Sequence, residues 1–164
     1  MKFEKFVKSL ASSGVIYERG VTGAEFIGER WLASPSVFML IPDGTRSVTA
    51  VGIQDMPPAI DKMIDQVGHT DTATLVKAVM PYPDSAIKDC VRVFATPDGQ
   101  VKLPICNDDW TLIEKSDVCE ILFTYDVDTN AYEGKALLVK QYPTCPGDDD
   151  LELVGIIFPL NLEN

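Results

Sequence analysis

The chain is short of positive charge and of histidine. Its 164 residues contain 25 Asp and Glu against 14 Lys and Arg, a formal net charge of −11, and His69 is the single histidine. A protein this acidic repels phosphate backbones and anionic lipid and attracts basic protein surfaces. The side chain most often used for proton transfer near neutral pH is almost missing. These shortages favour a binding protein over an enzyme, and no catalytic residue is predicted.

Long apolar runs and paired cysteines are also missing. No run approaches the roughly 20 apolar residues of a membrane span, and the N-terminal stretch lacks the apolar core of a signal peptide. We therefore expect a cytoplasmic protein with no membrane contact. Four cysteines are present, none of them in a C-x-x-C pair: Cys90, Cys106, Cys119 and Cys145. Buried free thiols are the favoured interpretation, with Cys90 and Cys119 in apolar strand-like runs, and the alternatives are zinc and a redox or disulfide role. No cofactor and no metal are predicted.

Two apolar stripes predict amphipathic helices. The first covers residues 3–10, where apolar side chains recur at helical spacing. The second follows Asp55, which is placed as the N-cap, and two prolines that suit a first helical turn. Asp61 and Asp65 are expected to share its outer face, and His69 is expected to satisfy carbonyls at its end. Its inward side chains are predicted to be Ile60, Met63, Ile64 and Val67.

Two Pro-Asp-Gly turns organise the predicted strands. The turn at 42–44 is expected to join strands 31–41 and 46–53, and the turn at 97–99 to join strands 91–96 and 100–106. A short helix capped by 107–109 follows. Further strands are predicted at 15–17, 72–80, 118–125, 135–141 and 153–158. Because hairpins and short helices connect them, the fold class is α+β, with a mostly antiparallel sheet and two or three helices.

The domain organisation follows from the same turns. We expect one domain over 1–164, in which 29–80 and 86–125 share the order strand, turn, strand, helix, strand. Internal duplication and chance similarity of two ordinary hairpin units both explain this order.

Acidic clusters supply the candidate partner-binding residues. Asp126, Asp128 and Asn130 are spaced like the first ligands of an EF-hand loop, but Ala131 and Leu137 stand where glycine and glutamate are required. A hairpin turn with solvated acids is favoured over calcium. The run of acids at 148–150 reads as a solvated loop or as a contact for a basic partner. The candidates are Asp61, Asp65, Asp126, Asp128, Asp148, Asp149 and Asp150.

Nucleic-acid recognition has little support in the sequence. The aromatic residues are spread singly, with no basic cluster among them. Four basic residues lie on predicted strands, and the sequence leaves open whether they gather on one face: Arg92, Lys102, Lys135 and Lys140.

Two resemblances extend these expectations. The stretch from Trp31 to Gly44, WLASPSVFMLIPDG, together with the acidic composition, resembles small acidic proteins of phages and mobile elements of Gram-positive bacteria. Anti-CRISPR and other anti-defence proteins belong to that group, and some occupy a basic nucleic-acid channel. The opening Met1-Lys2-Phe3 and the 42–44 turn are similar to the first domain of a bacterial DNA sliding clamp, which implies a basic inner face.

The leading functional expectation is a non-enzymatic acidic binding protein that engages a basic macromolecular surface, as a phage-type inhibitor of a nucleic-acid-binding host protein does. Its partner would be a basic host or phage protein, with no direct contact to nucleic acid. A clamp-like DNA-replication accessory is the alternative, and an enzyme with an unrecognised site is the third.

Overall fold

The computed structural model describes residues 1–20, 28–67, 71–72, 74–76, 90–143 and 150–161. The elements in these residues confirm the α+β class. The helices are α1 (Phe3–Leu10), α2 (Pro58–Asp65) and α3 (Asn107–Trp110). The strands are β1 (Val15–Arg19), β2 (Glu29–Ala33), β3 (Val37–Leu40), β4 (Gly52–Asp55), β5 (Asp71–Thr72), β6 (Thr74–Val76), β7 (Val91–Ala95), β8 (Lys102–Cys106), β9 (Val118–Asp126), β10 (Ala131–Gln141) and β11 (Glu152–Ile157).

The strands form a large and a small sheet. The large sheet has eight strands in the order β4-β1-β2-β3-β11-β10-β9-β5, and the small sheet has the order β6-β7-β8. Every neighbouring pair is antiparallel except β1 and β4, which are parallel. The mostly antiparallel sheet is therefore confirmed. β11 lies between β3 and β10 and joins the early strands to the late ones.

The large sheet is covered on both faces. Leu137 and Val139 of β10 belong to a core with Phe6 of α1 and Leu103 of the small sheet. Their neighbour Leu138 faces a second core that contains Ile64 of α2. Successive side chains of a strand point to opposite faces, so a strand buried on both sides reads as an unbroken apolar run. The first two predicted helices thus pack as amphipathic elements, one on each face.

The first Pro-Asp-Gly turn was expected to join two paired strands, 31–41 and 46–53, and that prediction is wrong. Residues 31–41 are not one strand: Ser34–Ser36 reverse the chain, the Ser34 N–H donates to the Val37 carbonyl at 2.8 Å, and β2 then pairs with β3. Residues 42–45 do form a turn, in which the Thr45 N–H reaches the Pro42 carbonyl at 3.2 Å. However, β4 begins only at Gly52 and pairs with β1 instead. The apolar run concealed the break because both faces of β2 and β3 are buried.

The second Pro-Asp-Gly turn forms as predicted. β7 and β8 pair in antiparallel register across it, and Gly99 has φ +72°, a left-handed value that glycine tolerates. The strands predicted at 118–125, 135–141 and 153–158 are confirmed as β9, β10 and β11. The strand predicted at 72–80 is instead divided, because β5 joins the large sheet and β6 the small one. The single domain and the internal duplication stay predictions.

Two predicted helix caps are wrong. Asp55 is the last residue of β4, and the N-cap of α2 is Pro57, with Pro58 in the first helical position. Asp108 and Asp109 lie inside α3, whose N-cap is Cys106. Neither cap position makes a side-chain cap hydrogen bond. At α3 the strand β8 runs directly into the helix, so Cys106 still has extended backbone geometry. At α2 two residues, Met56 and Pro57, separate the end of β4 from the helix, so Asp55 lies too early to cap it.

The two sheets approach closely at Gly134 of β10. A Cβ atom at Gly134 would lie 2.8 Å from Leu103 Cδ1 and 3.4 Å from Val101 Cγ1 of the small sheet. The absence of a Cβ atom at Gly134 therefore leaves room for the Leu103 side chain, which would have to move if a larger residue stood there. The register of β9 against β10 shifts at this point. As a result, the turn between β7 and β8 is held beside the far end of the β9–β10 hairpin.

Within the described residues, no helix has both the length and the apolar character that a membrane crossing requires.

Candidate functional site

The end of the β9–β10 hairpin carries an exposed aromatic surface. We define the hairpin tip as residues 125–133. Tyr125 and Tyr132 stand directly opposite each other in the antiparallel register. They are 48% and 44% exposed, and Val127 at the turn is 79% exposed. Exposed large apolar side chains that lie together, unlike scattered ones, mark interaction sites.

The aromatic side chains of the hairpin tip are held in place by one another. The rings of Tyr125 and Tyr132 meet edge to face at a centroid distance of 5.1 Å, and Tyr132 meets Phe123 in the same way at 5.5 Å. The Tyr125 hydroxyl donates a hydrogen bond to the side-chain oxygen of Asn130. Side chains ordered before binding lose little conformational entropy when a partner arrives. The rings therefore suit the role of a binding anchor.

Carboxylates surround these rings. Asp126 is the last residue of β9, Asp128 lies in the turn, and Glu133 lies on β10, where it forms an ion pair with Lys135. The backbone N–H of Asp128 donates to Asp126 Oδ1 at 2.9 Å. This bond, with support from Thr129, holds the pKa of Asp126 below its usual value, so the carboxylate is charged at neutral pH. The hairpin turn predicted for this segment is confirmed, and the tip combines aromatic rings with negative charge.

The other predicted partner-binding acids do not join this group. Asp61 and Asp65 share one side of α2, as predicted, but both accept hydrogen bonds from Arg19 of β1. They therefore attach α2 to the sheet. Asp150 is exposed just before β11. Asp148 and Asp149 lie outside the described residues, as do His69 and Cys145.

Sequence reasoning missed the aromatic residues of the tip. In the sequence the aromatic residues are spread singly, whereas in the structure Phe123, Tyr125 and Tyr132 form one cluster. A signal was present: Phe123 and Tyr125 are two apart and so share a face of a strand. Tyr132 follows the turn and pairs directly opposite Tyr125, so its side chain lies on the same face of the hairpin.

Three of the four strand lysines and arginines are engaged by neighbours. Lys140 donates to Glu120, Lys135 pairs with Glu133, and the Arg92 guanidinium lies 5.1 Å from the ring centre of Trp110. Lys102 is exposed. Within the described residues these side chains serve separate local contacts, which does not favour the basic inner face that a clamp requires.

A cavity of about 320 Å³ lies between α1 and α3. Its lining residues include Asp108, Asp109 and Lys5, and the Lys5 Nζ donates to Thr111 Oγ1 at 2.7 Å. Burial raises the pKa of Asp109; a hydrogen bond with the Ser36 side chain opposes the rise, and repulsion from Asp108 adds to it. Asp109 thus resists ionisation, in contrast to Asp126.

We expect Asp109→Asn to stabilise the protein at neutral pH. Because the folded-state pKa of Asp109 is raised, folding is favoured while this group is protonated, and that advantage disappears as pH rises through the folded pKa. An amide oxygen keeps an acceptor for Ser36 without the charge. The side chain is half open to solvent, so the gain should be small, roughly 1–2 °C in Tm at pH 7. Thermal unfolding followed across pH checks this, and the gain should vanish below the usual Asp pKa; a gain of equal size at pH 3 would contradict it.

The cysteines of the described residues differ in exposure. Cys119 is partly buried, and burial, together with the nearby Asp117 carboxylate, raises the pKa of its thiol to about 12. Cys90 is exposed, so its predicted burial is wrong. It lies just before β7 rather than inside the apolar strand, which explains the difference.

We expect iodoacetamide to alkylate Cys90 while leaving Cys119 intact. At pH 8 a thiol with the pKa of Cys119 is ionised in only about one molecule in ten thousand, and only the thiolate reacts. Peptide mapping by mass spectrometry after a timed reaction measures both sites. Cys119 should react once the chain is unfolded in urea. Equal labelling of the two cysteines in the folded protein would contradict the assignment.

Within the described part of the chain, no three His, Cys, Asp or Glu residues lie close enough together to hold a metal ion. Comparison with protein-family models, with curated proteins and with solved structures found no match to this chain.

Proposed function

We propose that this protein is a non-enzymatic binding protein whose hairpin tip engages a basic surface of another protein. The observation that carries the proposal is the exposed pair Tyr125 and Tyr132, packed edge to face and flanked by Asp126, Asp128 and Glu133. Aromatic side chains supply much of the binding energy at protein interfaces, and surrounding charges set specificity and association rate.

The overall charge supports the same partner class. With a formal net charge of −11, the protein attracts a positively charged partner from a distance and repels a phosphate backbone. A basic channel that normally holds nucleic acid fits this description. Inhibition of a nucleic-acid-binding host protein in the bacterial cytoplasm, by occupation of such a channel, is the biological role we propose.

The test measures how the tip associates with a basic probe. A synthetic peptide rich in arginine and lysine should bind the immobilised protein quickly at low salt. The rate should fall several-fold as the screening length shrinks from roughly 30 Å at 0.01 M to about 8 Å at 0.15 M ionic strength. Duplex DNA should give no electrophoretic shift in the same buffers. A DNA shift without peptide binding would overturn the proposal.

A matched pair of variants assigns the effect to the tip. The tip variant removes three negative charges with Asp126→Asn, Asp128→Asn and Glu133→Gln. The control removes three exposed acids from other elements, with Glu4→Gln, Asp43→Asn and Asp55→Asn. Both variants carry the same net charge, so long-range attraction is reduced about equally. We expect the tip variant to associate several-fold more slowly than the control. Equal rates for the two variants would show that the tip is not the binding surface.

A further inference from the structure

We propose that a small pocket beside the hairpin tip holds the guanidinium group of an arginine side chain from the partner. The inference rests on the proposed function and names the residue that the partner inserts. The pocket lies between the β7–β8 turn and the β9–β10 hairpin and has a volume of about 80 Å³. Its lining residues are Thr96, Asp98, Gln100, Val101, Phe123 and Tyr132.

The turn presents a charged carboxylate to this pocket. The Thr96 hydroxyl and the Gln100 backbone N–H, the latter at 3.0 Å, both donate to Asp98 Oδ1. These two bonds hold the pKa of Asp98 below its usual value, so the group is ionised at neutral pH. Asp98 lines the pocket and is open to solvent, so a cationic ligand in the pocket can reach its carboxylate. An ionised oxygen that already has a fixed orientation is a strong acceptor for a cationic donor.

The opposite wall of the pocket is aromatic. Phe123 and Tyr132 both line the pocket, and their rings pack edge to face with planes at 89° to each other. A cation over an aromatic face is attracted by the electron-rich ring. A group that touches both walls would therefore meet a carboxylate on one side and aromatic rings on the other.

Size and shape select arginine within the class of cations. A volume of about 80 Å³ admits one small head group and is well below the roughly 300 Å³ or more of an ordinary small-molecule pocket. The guanidinium is planar, stacks on aromatic rings and binds carboxylates through a fixed fork of N–H groups. The lysine ammonium is compact and strongly hydrated, so it gains less from the aromatic wall.

The pocket continues the surface of the hairpin tip, because Tyr132 belongs to both. The Tyr132 ring packs against Tyr125 of the hairpin tip and against Phe123 of the pocket lining. A partner whose arginine enters the pocket would thus place its neighbouring residues over Tyr125 and the acids of the turn. A protein surface rich in arginine is the partner that this continuity favours.

The test uses three capped amino acids as probes. N-acetyl-arginine amide, N-acetyl-lysine amide and N-acetyl-citrulline amide are each titrated into the isotope-labelled protein and followed by NMR. The arginine probe should shift the backbone amide signals of Gln100 and Val101 and the ring signals of Tyr132. Its affinity should exceed that of the lysine probe at least threefold. Citrulline has the same shape without the charge and should bind at least tenfold more weakly than arginine.

The chain offers a closely matched control for the carboxylate. Asp98→Asn keeps an oxygen for Thr96 and Gln100 and should reduce arginine affinity about tenfold. Asp43→Asn makes the same change in the other Pro-Asp-Gly turn and should leave the affinity within a factor of two. Tyr132→Leu should reduce it at least threefold. Equal binding of citrulline and arginine, or equal effects of the two Asp substitutions, would overturn the inference.

The outcomes separate this inference from the proposed function. If the basic peptide binds through the tip but Asp98→Asn leaves that binding unchanged, the pocket assignment is wrong and the tip remains the binding surface. If the arginine probe shifts the pocket signals but the basic peptide associates equally fast with the tip variant and its control, the pocket assignment is supported and the proposed function is wrong.

Discussion

Replacing Glu120 with alanine should lower the free energy of unfolding by about 3–5 kcal/mol. The Lys140 side chain is only 9% exposed and donates to the Glu120 carboxylate and, at 3.2 Å, to the Val67 carbonyl. Glu120→Ala removes the carboxylate and leaves the ammonium buried without its counter-charge. An uncompensated buried charge is among the most destabilising single changes in a protein. Urea unfolding at pH 7, followed by far-UV circular dichroism, measures the loss.

Two further variants separate the free-energy cost of a lone buried charge from the net contribution of the Glu120–Lys140 ion pair. Lys140→Met keeps most of the apolar stem but leaves the Glu120 carboxylate without its counter-charge. Because the Glu120 side chain is 15% exposed and therefore better hydrated than Lys140, we expect a smaller cost of about 1–2 kcal/mol. The double variant Glu120→Gln, Lys140→Met removes both charges and should lie within about 1 kcal/mol of the wild type. If Glu120→Ala costs less than about 1 kcal/mol, the Lys140 ammonium reaches water and the burial of this pair has no energetic consequence.

Asp117→Ala should be comparably damaging, at about 3–5 kcal/mol. The Asp117 side chain is fully buried, with 0% exposure. Its carboxylate accepts hydrogen bonds from the Met1 ammonium at 3.0 Å, the Glu114 backbone N–H at 2.7 Å and Gln141 Nε2 at 2.8 Å. The substitution leaves all three donors without this acceptor, and one of them carries a charge.

An adjacent acid provides the control for this second prediction. Glu114 lies 3.4 Å from the same Met1 ammonium, but its side chain is 43% exposed. Glu114→Ala should therefore change stability by no more than about 0.5 kcal/mol. Because the bonds of Asp117 are shielded from solvent, the difference between the two variants should persist in 0.5 M NaCl. Equal effects of the two substitutions would show that the buried position of Asp117 contributes nothing.

The helices and late strands could be predicted because each carries a local signal. The stripe of residues 3–10 and the Pro97-Asp98-Gly99 turn act over short stretches, and both form as expected. The parallel pairing of β4 with β1 has no comparable signal, since it depends on chain segments brought together by the whole fold. Equally, the break at Ser34–Ser36 was hidden because both flanking strands are buried on two faces.

The candidate site was predictable only in part. Asp126 and Asp128 follow from the composition of the turn, and the structure places both in the hairpin tip. The pocket beside the tip could not be predicted, because Asp98 lies in a turn of the small sheet and Tyr132 lies in a strand of the large one. Their proximity depends on Gly134, which in the sequence reads as an ordinary glycine within a strand.

The central position of β11 determines when the fold can be completed during synthesis. β3 leaves the ribosome early and β10 late, and β11 follows both before it can pair between them. Until residue 157 emerges, the edges of β3 and β10 lack the strand that separates them, and such edges invite pairing with other chains. Nascent chains stalled before this strand should therefore aggregate or be degraded, and chains released after it should fold.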